Sequence, residues 1–193
     1  TGIWGDGEVD NGAAPGVTLD VDDVLDRGDV VVLNNDIDVT DMLNIDFDGS
    51  DKVAASVPLS FSRMAWGATV GTVLTDAIEQ LASISWGTSF TLPIGENIGN
   101  TMFEYTALSI TSSSDNNLVQ IDTDADSVVD VSVTLDEGET HFVNGGLSQG
   151  ATVLSSEPIQ AFIITGNICA SYESRWYYLT PNDQLSDNYY TPV

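Results

Sequence analysis

Positive charge is what this sequence lacks most. Its 193 residues carry four bases, Lys52, Arg27, Arg63 and Arg175, against 30 acids, for a formal charge of −26. At most four acids can find a basic partner, so the rest must face water, cap turns or hold cations. Repulsion at this density is relieved by dissolved salt, whose screening length falls to about 3 Å at molar concentration. Nucleic acid is excluded as a partner, because phosphate contacts need Lys and Arg. Anionic membrane surfaces are excluded for the same reason, and no apolar run approaches the ~20 residues that span a bilayer. Cysteine is nearly absent too. Cys169 stands alone among apolar neighbours, which excludes an internal disulfide and reads as a small buried hydrophobe. His141 is the sole histidine, so no His/Cys spacing suits zinc. The glycines of "WGDGEVDNG" have neither a preceding strand nor a following helix, so they form no phosphate loop. No Ser/His/Asp arrangement is forced by spacing, and the chain is read as non-enzymatic. Thr1 opens the sequence without a charged-then-apolar leader, so a secreted chain would be read here with its signal already removed.

What is present is strand. Hydrophobic residues make up 42% of the chain, enough for a real core. Residues 1–16 hold five glycines and Pro15 and read as a linker or extended arm, in which Trp4 is expected to dock on its own domain or a neighbour's. Residues 17–193 are predicted to form one β-domain. "TSFTLPI", "FEYTALSIT", "NLVQID", "DVSVTLDEGE", "THFVNGG", "ATVLSSEPIQAFIITG", "SRWYYLT" and "NYYTPV" are rich in Val, Ile, Thr, Phe and Tyr and are separated by turn residues. Short strands at such spacing predict an all-β, sandwich-like fold with at most one short helix. "VGTVLTDAIEQLA" dissents, since Val70, Val73, Leu74, Ala77, Ile78 and Leu81 fit a helical stripe.

An internal repeat argues against that helix. Val53, Ser56, Pro58 and Leu59 match Val153, Ser156, Pro158 and Ile159, and Phe90, Pro93 and Ile94 match Tyr189, Pro192 and Val193. Two diverged half-copies follow, about 30–97 and 115–193. Opposite the helical stripe lies the strand-like "RWYYLT", so the first-copy segment is expected to be strand or a single helical turn. Each repeated proline is expected at a strand start or on an edge, because it lacks the ladder N–H.

The run from "NNLVQID" through "VTLDEGETHFVNGG" and "GATVLSSEPI" to "YYTPV" resembles the β-modules of the IgG-Fc-binding-protein N-terminal family and its large bacterial surface relatives. "DKVAASVPLSFSRMAWG…SISWGTSFTLPIG" is similar to that family's other half. The resemblance covers about residues 28–193. It implies extracellular, non-enzymatic modules of long adhesive or matrix proteins, and it carries no catalytic residues across. The cysteine partners that the family would supply are missing around Cys169. The extreme acidity departs from animal members and fits a marine or halophilic microbe.

"DTDADSVVD" concentrates the acidity. Hard cations take several oxygen ligands at about 2.4 Å from a short loop. Asp122, Asp124 and Asp126 alternate, so a tight loop between "NLVQI" and "VSVTL" can aim all three inward. The carbonyl of Val128 and the carboxylate of Asp130 would complete a calcium site. Ser127 stands where glycine is usual, at a cost if that position needs positive φ. The alternative is an acidic hairpin tip with no ion. "DFDGSD", with Asp46, Asp48 and Asp51, reads as a turn, and "RGD" at 27–29 as part of a solvated charge cluster.

Trp176 and Tyr178 share one strand face, and Tyr189 and Tyr190 point oppositely. Their outward members are either partly covered within the chain or free to pack on another subunit, as Trp and Tyr favour interfaces. Together these features predict a secreted or cell-surface structural module of a microbial filament, sheath or adhesin. It would associate with copies of itself through strand edges and through Trp4, Trp176, Tyr178, Tyr189 and Tyr190. A calcium-assisted module that binds surface glycans or proteins is the alternative.

Overall fold

The computed structural model describes residues 26–28, 30, 53, 57–65, 76–167 and 175–190. The chain divides into two units, residues 1–46 with 53–59, and residues 47–52 with 60–193. In the first, the described residues are exposed and include a turn at Arg27–Gly28, with Gly28 at φ 100°. The N-terminal arm with Trp4, the acids 46–51 and Cys169 lie outside the described residues.

The second unit is all β. Its strands are β1 (Ser62–Ala65), β2 (Asp76–Glu79), β3 (Gly87–Thr91), β4 (Tyr105–Ser112), β5 (Asn117–Asp122), β6 (Val131–Leu135), β7 (Thr140–Val143), β8 (Thr152–Gly166) and β9 (Arg175–Tyr178). Among the described residues the only helices are three-residue 3-10 turns. The sequence alternation maps directly onto burial. In β5, Val119 and Ile121 are fully buried while Leu118 is 43% exposed, as a period-2 pleat requires. The helical stripe is overturned where it can be tested. Asp76–Glu79 is extended and pairs antiparallel with Ser62–Ala65, in register Arg63 opposite Ile78. A ladder partner distant in sequence outweighs local helical periodicity there.

β8 organises the rest. At 15 residues it is long for a strand, and it serves two layers. Thr152–Ser155 pairs with β5, which pairs with β6, and Thr152–Leu154 also pairs with β3. Ile159–Gly166 pairs with β4, which pairs with β7, while Phe162–Thr165 pairs with β9. The inward residues of both halves form one core that includes Phe90, Leu108, Ile110, Ile121, Val153 and Ile163.

Pro158 lies inside this strand and not at its start. It falls where the β3 partner jumps from Leu154 to Ile159, a gap in the ladder where the missing N–H costs nothing. The gap is stitched by side chains. Buried Asn117 donates through Nδ2 to the Glu157 carbonyl at 3.0 Å and accepts from Glu157 N at 2.9 Å. Ser113 Oγ donates to the Pro158 carbonyl at 2.6 Å. Two of the repeat-matched pairs can be compared in part among the described residues. Pro58 is exposed and outside any strand, and Phe90 is buried in β3 while Tyr189 is 68% exposed. The described part of "NYYTPV" is likewise not a strand. Ser186 Oγ bonds Asn188 locally, an alternative that competes with a ladder.

The β1–β2 hairpin lies on the outer side of β9. Asp76 Oδ2 accepts from Trp176 N at 2.6 Å, and the Tyr178 hydroxyl donates to Gln80 Oε1. The Arg63 guanidinium stacks over the rings of Trp176 and Phe162, at 5.2 and 5.7 Å from their centroids. Burial pushes the Tyr178 phenol up to about 12, and the nearby Arg63 charge opposes this. Because the folded value lies above the unfolded one of about 10, the neutral phenol's contribution is complete below pH ~10. It is lost as pH rises toward 12. Spectrophotometric titration is expected to show one tyrosine ionising near pH 12 that is absent from Tyr178→Phe. A variant that instead lost a component near pH ~10 would refute the clasp.

Candidate metal centre

The hairpin between β5 and β6 turns through residues 123–130. Asp122 ends β5 with its side chain only 7% exposed. Its two oxygens each accept a loop amide at 2.8 Å, Oδ1 from Ala125 N and Oδ2 from Ser127 N. Those bonds fold the chain back so tightly that Ala125 and Ser127 take φ of 67° and 72°. The glycine-like position expected at Ser127 is therefore real, and Ala125 is a second one that the sequence did not signal. Left-handed φ costs a non-glycine residue roughly 1–2 kcal/mol. Ser127→Gly is expected to stabilise the protein by about 1 kcal/mol, net of glycine's greater unfolded entropy. Thermal melts check this, and an unchanged or lower melting temperature would count against the strained loop.

At the other side of the loop, Asp130 Oδ2 accepts from Thr123 N at 2.8 Å and Thr123 Oγ1 at 2.6 Å, and Asp130 N donates to the Ile121 carbonyl. The hydrogen bonds from the Thr123 side chain and backbone hold the Asp130 carboxyl below the usual carboxylate range. This contribution is complete above that range and is lost as pH falls through the lowered value. Thr123 is the site residue that sequence spacing missed, since nothing in its own position announces a seven-residue reach.

One carboxylate oxygen from each of Asp122, Asp124 and Asp130 lies within 4.8 Å of the other two. Ligands on opposite sides of a calcium ion at ~2.4 Å stand about 4.8 Å apart, so all three fit one coordination sphere. Asp126 is not among these three carboxylates; its Oδ1 accepts from Val128 N at 2.7 Å, just as Asp124 Oδ1 accepts from Asp126 N at 3.1 Å.

The loop is braced from outside. Ser148 N donates to the Thr123 carbonyl at 2.9 Å. The segment carrying Ser148 is held in turn by residues 92–97, through Glu96 N to the Leu147 carbonyl at 2.8 Å and Gln149 N to Asn97 Oδ1 at 2.7 Å. His141 lies on β7 opposite Ile110, where burial pushes its imidazole down. The aromatic candidates divide. Trp176 and Tyr178 are half-buried, Trp176 beneath the Arg63 guanidinium and Tyr178 bonded to Gln80, whereas Tyr190 is fully exposed. Tyr189 uses its hydroxyl to accept from Ser186 N.

No protein-family model, no curated protein and no solved structure matches this chain.

Proposed function

We propose that the chain is a calcium-stabilised structural module of a secreted microbial assembly, a filament, sheath or adhesin, that associates with copies of itself. The observation that carries this reading is the convergence of Asp122, Asp124 and Asp130 at a hairpin tip in a chain of charge −26. Three hard oxygens in one small volume are the chemistry of a calcium or magnesium site, and calcium tolerates the irregular geometry of a turning loop. Backbone carbonyls and water would fill the remaining places. The family resemblance read from the sequence points the same way.

Extracellular calcium modules bind with Kd of about 0.1–1 mM. Calcium at ~10 mM is then expected to stabilise the folded unit by about 2 kcal/mol. Melts in calcium and in chelator, at matched ionic strength, read this as a rise of several degrees. Asp124→Asn is expected to remove most of the rise while raising the calcium-free melting temperature, because it relieves repulsion. Identical melts for the wild type with calcium and with chelator would refute the site.

A further inference from the structure

Asn144 and Gly145 follow β7 directly. They are one of two Asn–Gly pairs in the chain, the other being Asn11–Gly12 outside the described residues. An asparagine before glycine carries its own reagent. The Gly145 backbone nitrogen can lose its proton to hydroxide and attack Asn144 Cγ, since no Cβ crowds the approach. A nitrogen–Cγ bond forms, the Cγ–Nδ2 bond breaks, and Nδ2 leaves as ammonia. Water then opens the cyclic imide at either carbonyl, to aspartate or to isoaspartate. One water is consumed, one ammonia is released, and nothing is oxidised or reduced. Asn144 and Gly146 are exposed, so water and hydroxide reach the pair.

The fold holds this reaction back at two points. Gly145 N donates to the Val143 carbonyl at 3.2 Å, a bond between residues two apart. Asn144 is not among the positive-φ residues, so the turn is of the inverse γ kind, with a central ψ of about +65°. That torsion sets the Gly145 nitrogen on the far side of the Cα–C bond from the Asn144 Cβ, whereas ring closure needs the two eclipsed. The side chain is pinned as well. The Tyr105 hydroxyl, at the start of β4, donates to Asn144 Oδ1 at 2.7 Å. Burial and the neighbouring Glu96 charge push the Tyr105 phenol up, so this donor keeps its proton in the mildly alkaline range where hydroxide drives the attack. Glu96 Oε1 accepts from Gly146 N at 2.7 Å and fixes the next residue of the chain. We propose that Asn144 is a deamidation site gated by the Tyr105 hydroxyl and the Gly145–Val143 turn, closed in the native fold and opened when that turn is released. Conversion leaves a permanent mark. It places a carboxylate against the Tyr105 hydroxyl, and isoaspartate inserts one main-chain atom before Gly146, whose N–H Glu96 holds.

Peptide mapping by mass spectrometry, on the whole chain held in mildly alkaline buffer with and without denaturant, tests it. The denatured wild type is expected to convert Asn144 to aspartate and isoaspartate. Gly145→Ala in the same denaturant is expected to convert roughly tenfold more slowly, because its Cβ crowds the attacking nitrogen. The native wild type is expected to convert roughly tenfold more slowly than the denatured chain, at a rate set by local opening. Tyr105→Phe, with its fold checked by circular dichroism, is expected to speed native conversion about fivefold, the weight of one hydrogen bond in the closed state. Tyr178→Phe removes a bonded hydroxyl elsewhere in the fold and is expected to leave the rate unchanged, which separates the gate from a general loss of stability. Should Tyr105→Phe fail to fold, protection of the wild-type Gly145 amide from hydrogen exchange reads the same gate. No conversion in denaturant overturns the site. Native conversion as fast as denatured, or an unprotected Gly145 amide, overturns the gate. A Tyr105→Phe rate equal to that of the wild type or of Tyr178→Phe removes Tyr105 from it.

Discussion

Gly95→Ala is expected to lower the melting temperature by more than 10 °C, the largest effect of any single change considered. Gly95 is buried, and its φ of −173° is ordinary extended backbone, so the reason is space and not torsion. A Cβ there would fall on Gln149 N and Ser148 C and come within 2.7 Å of the Leu147 carbonyl oxygen. These are backbone atoms, which cannot swing aside as a long side chain can. Residues 147–151 are also pinned on both sides of the contact, with Gly150 N to the Leu92 carbonyl and Leu92 N to the Ala151 carbonyl, each at 2.9 Å. Overpacking of a fixed site costs typically 1–3 kcal/mol, and rigid backbone neighbours place this case at about 4 kcal/mol. Because Ser148 braces the Thr123 carbonyl, the displaced segment is also expected to loosen the carboxylate loop and shrink the calcium-induced rise. Gly99→Ala is the control. It meets nothing within 4 Å but has φ of 71°, so it should lose only about 1 kcal/mol through strain. Equal losses for the two variants would refute the close-contact argument.

Asn117→Ala is expected to cost about 3 kcal/mol, read as a fall of roughly 10 °C. Asn117 is fully buried and uses both ends of its amide. Nδ2 donates to Ser112 Oγ and the Glu157 carbonyl, and Oδ1 accepts from Ser156 Oγ and Glu157 N. It thus replaces ladder partners where Pro158 interrupts β8. Alanine would remove all four of these bonds, leaving Glu157 N without its acceptor and the Glu157 carbonyl with Ser155 Oγ alone. The exposure of Ser156 and Glu157 lets water take up part of the loss, which keeps the total well below the sum of four buried bonds. Asn117→Asp should be no better, since a carboxylate cannot donate to the Glu157 carbonyl. A fall under 3 °C for the alanine variant would mean that water bridges the gap as well as the amide does.

Much of the fold was legible because strand signals are local. The alternation in "NLVQID" predicts which residues of β5 face the core, and the structure places Val119 and Ile121 there. The acid spacing of 122–130 is local as well, and three of its four expected carboxylates converge. The apolar stripe around Ala77 and Ile78 taken alone suggests a helix, and it is the comparison with "RWYYLT" that points to the strand seen at Asp76–Glu79, since four residues are too few to show their own period. The described part of "NYYTPV" is no strand, because composition cannot say whether an edge is available to pair with.

The amino-acid order by itself determined the β class, the acidic surface and a carboxylate hairpin. Each depends on neighbours within about ten residues, where the two-residue pleat and turn chemistry act directly. Tertiary structure alone decided that β8 serves two layers, that Asn117 mends the break at Pro158, and that Arg63 covers Trp176. It also decided that Gly95 must leave room for Gln149. These are contacts between segments roughly 40 to 110 residues apart, and no local pattern can announce which distant backbone will come within van der Waals reach.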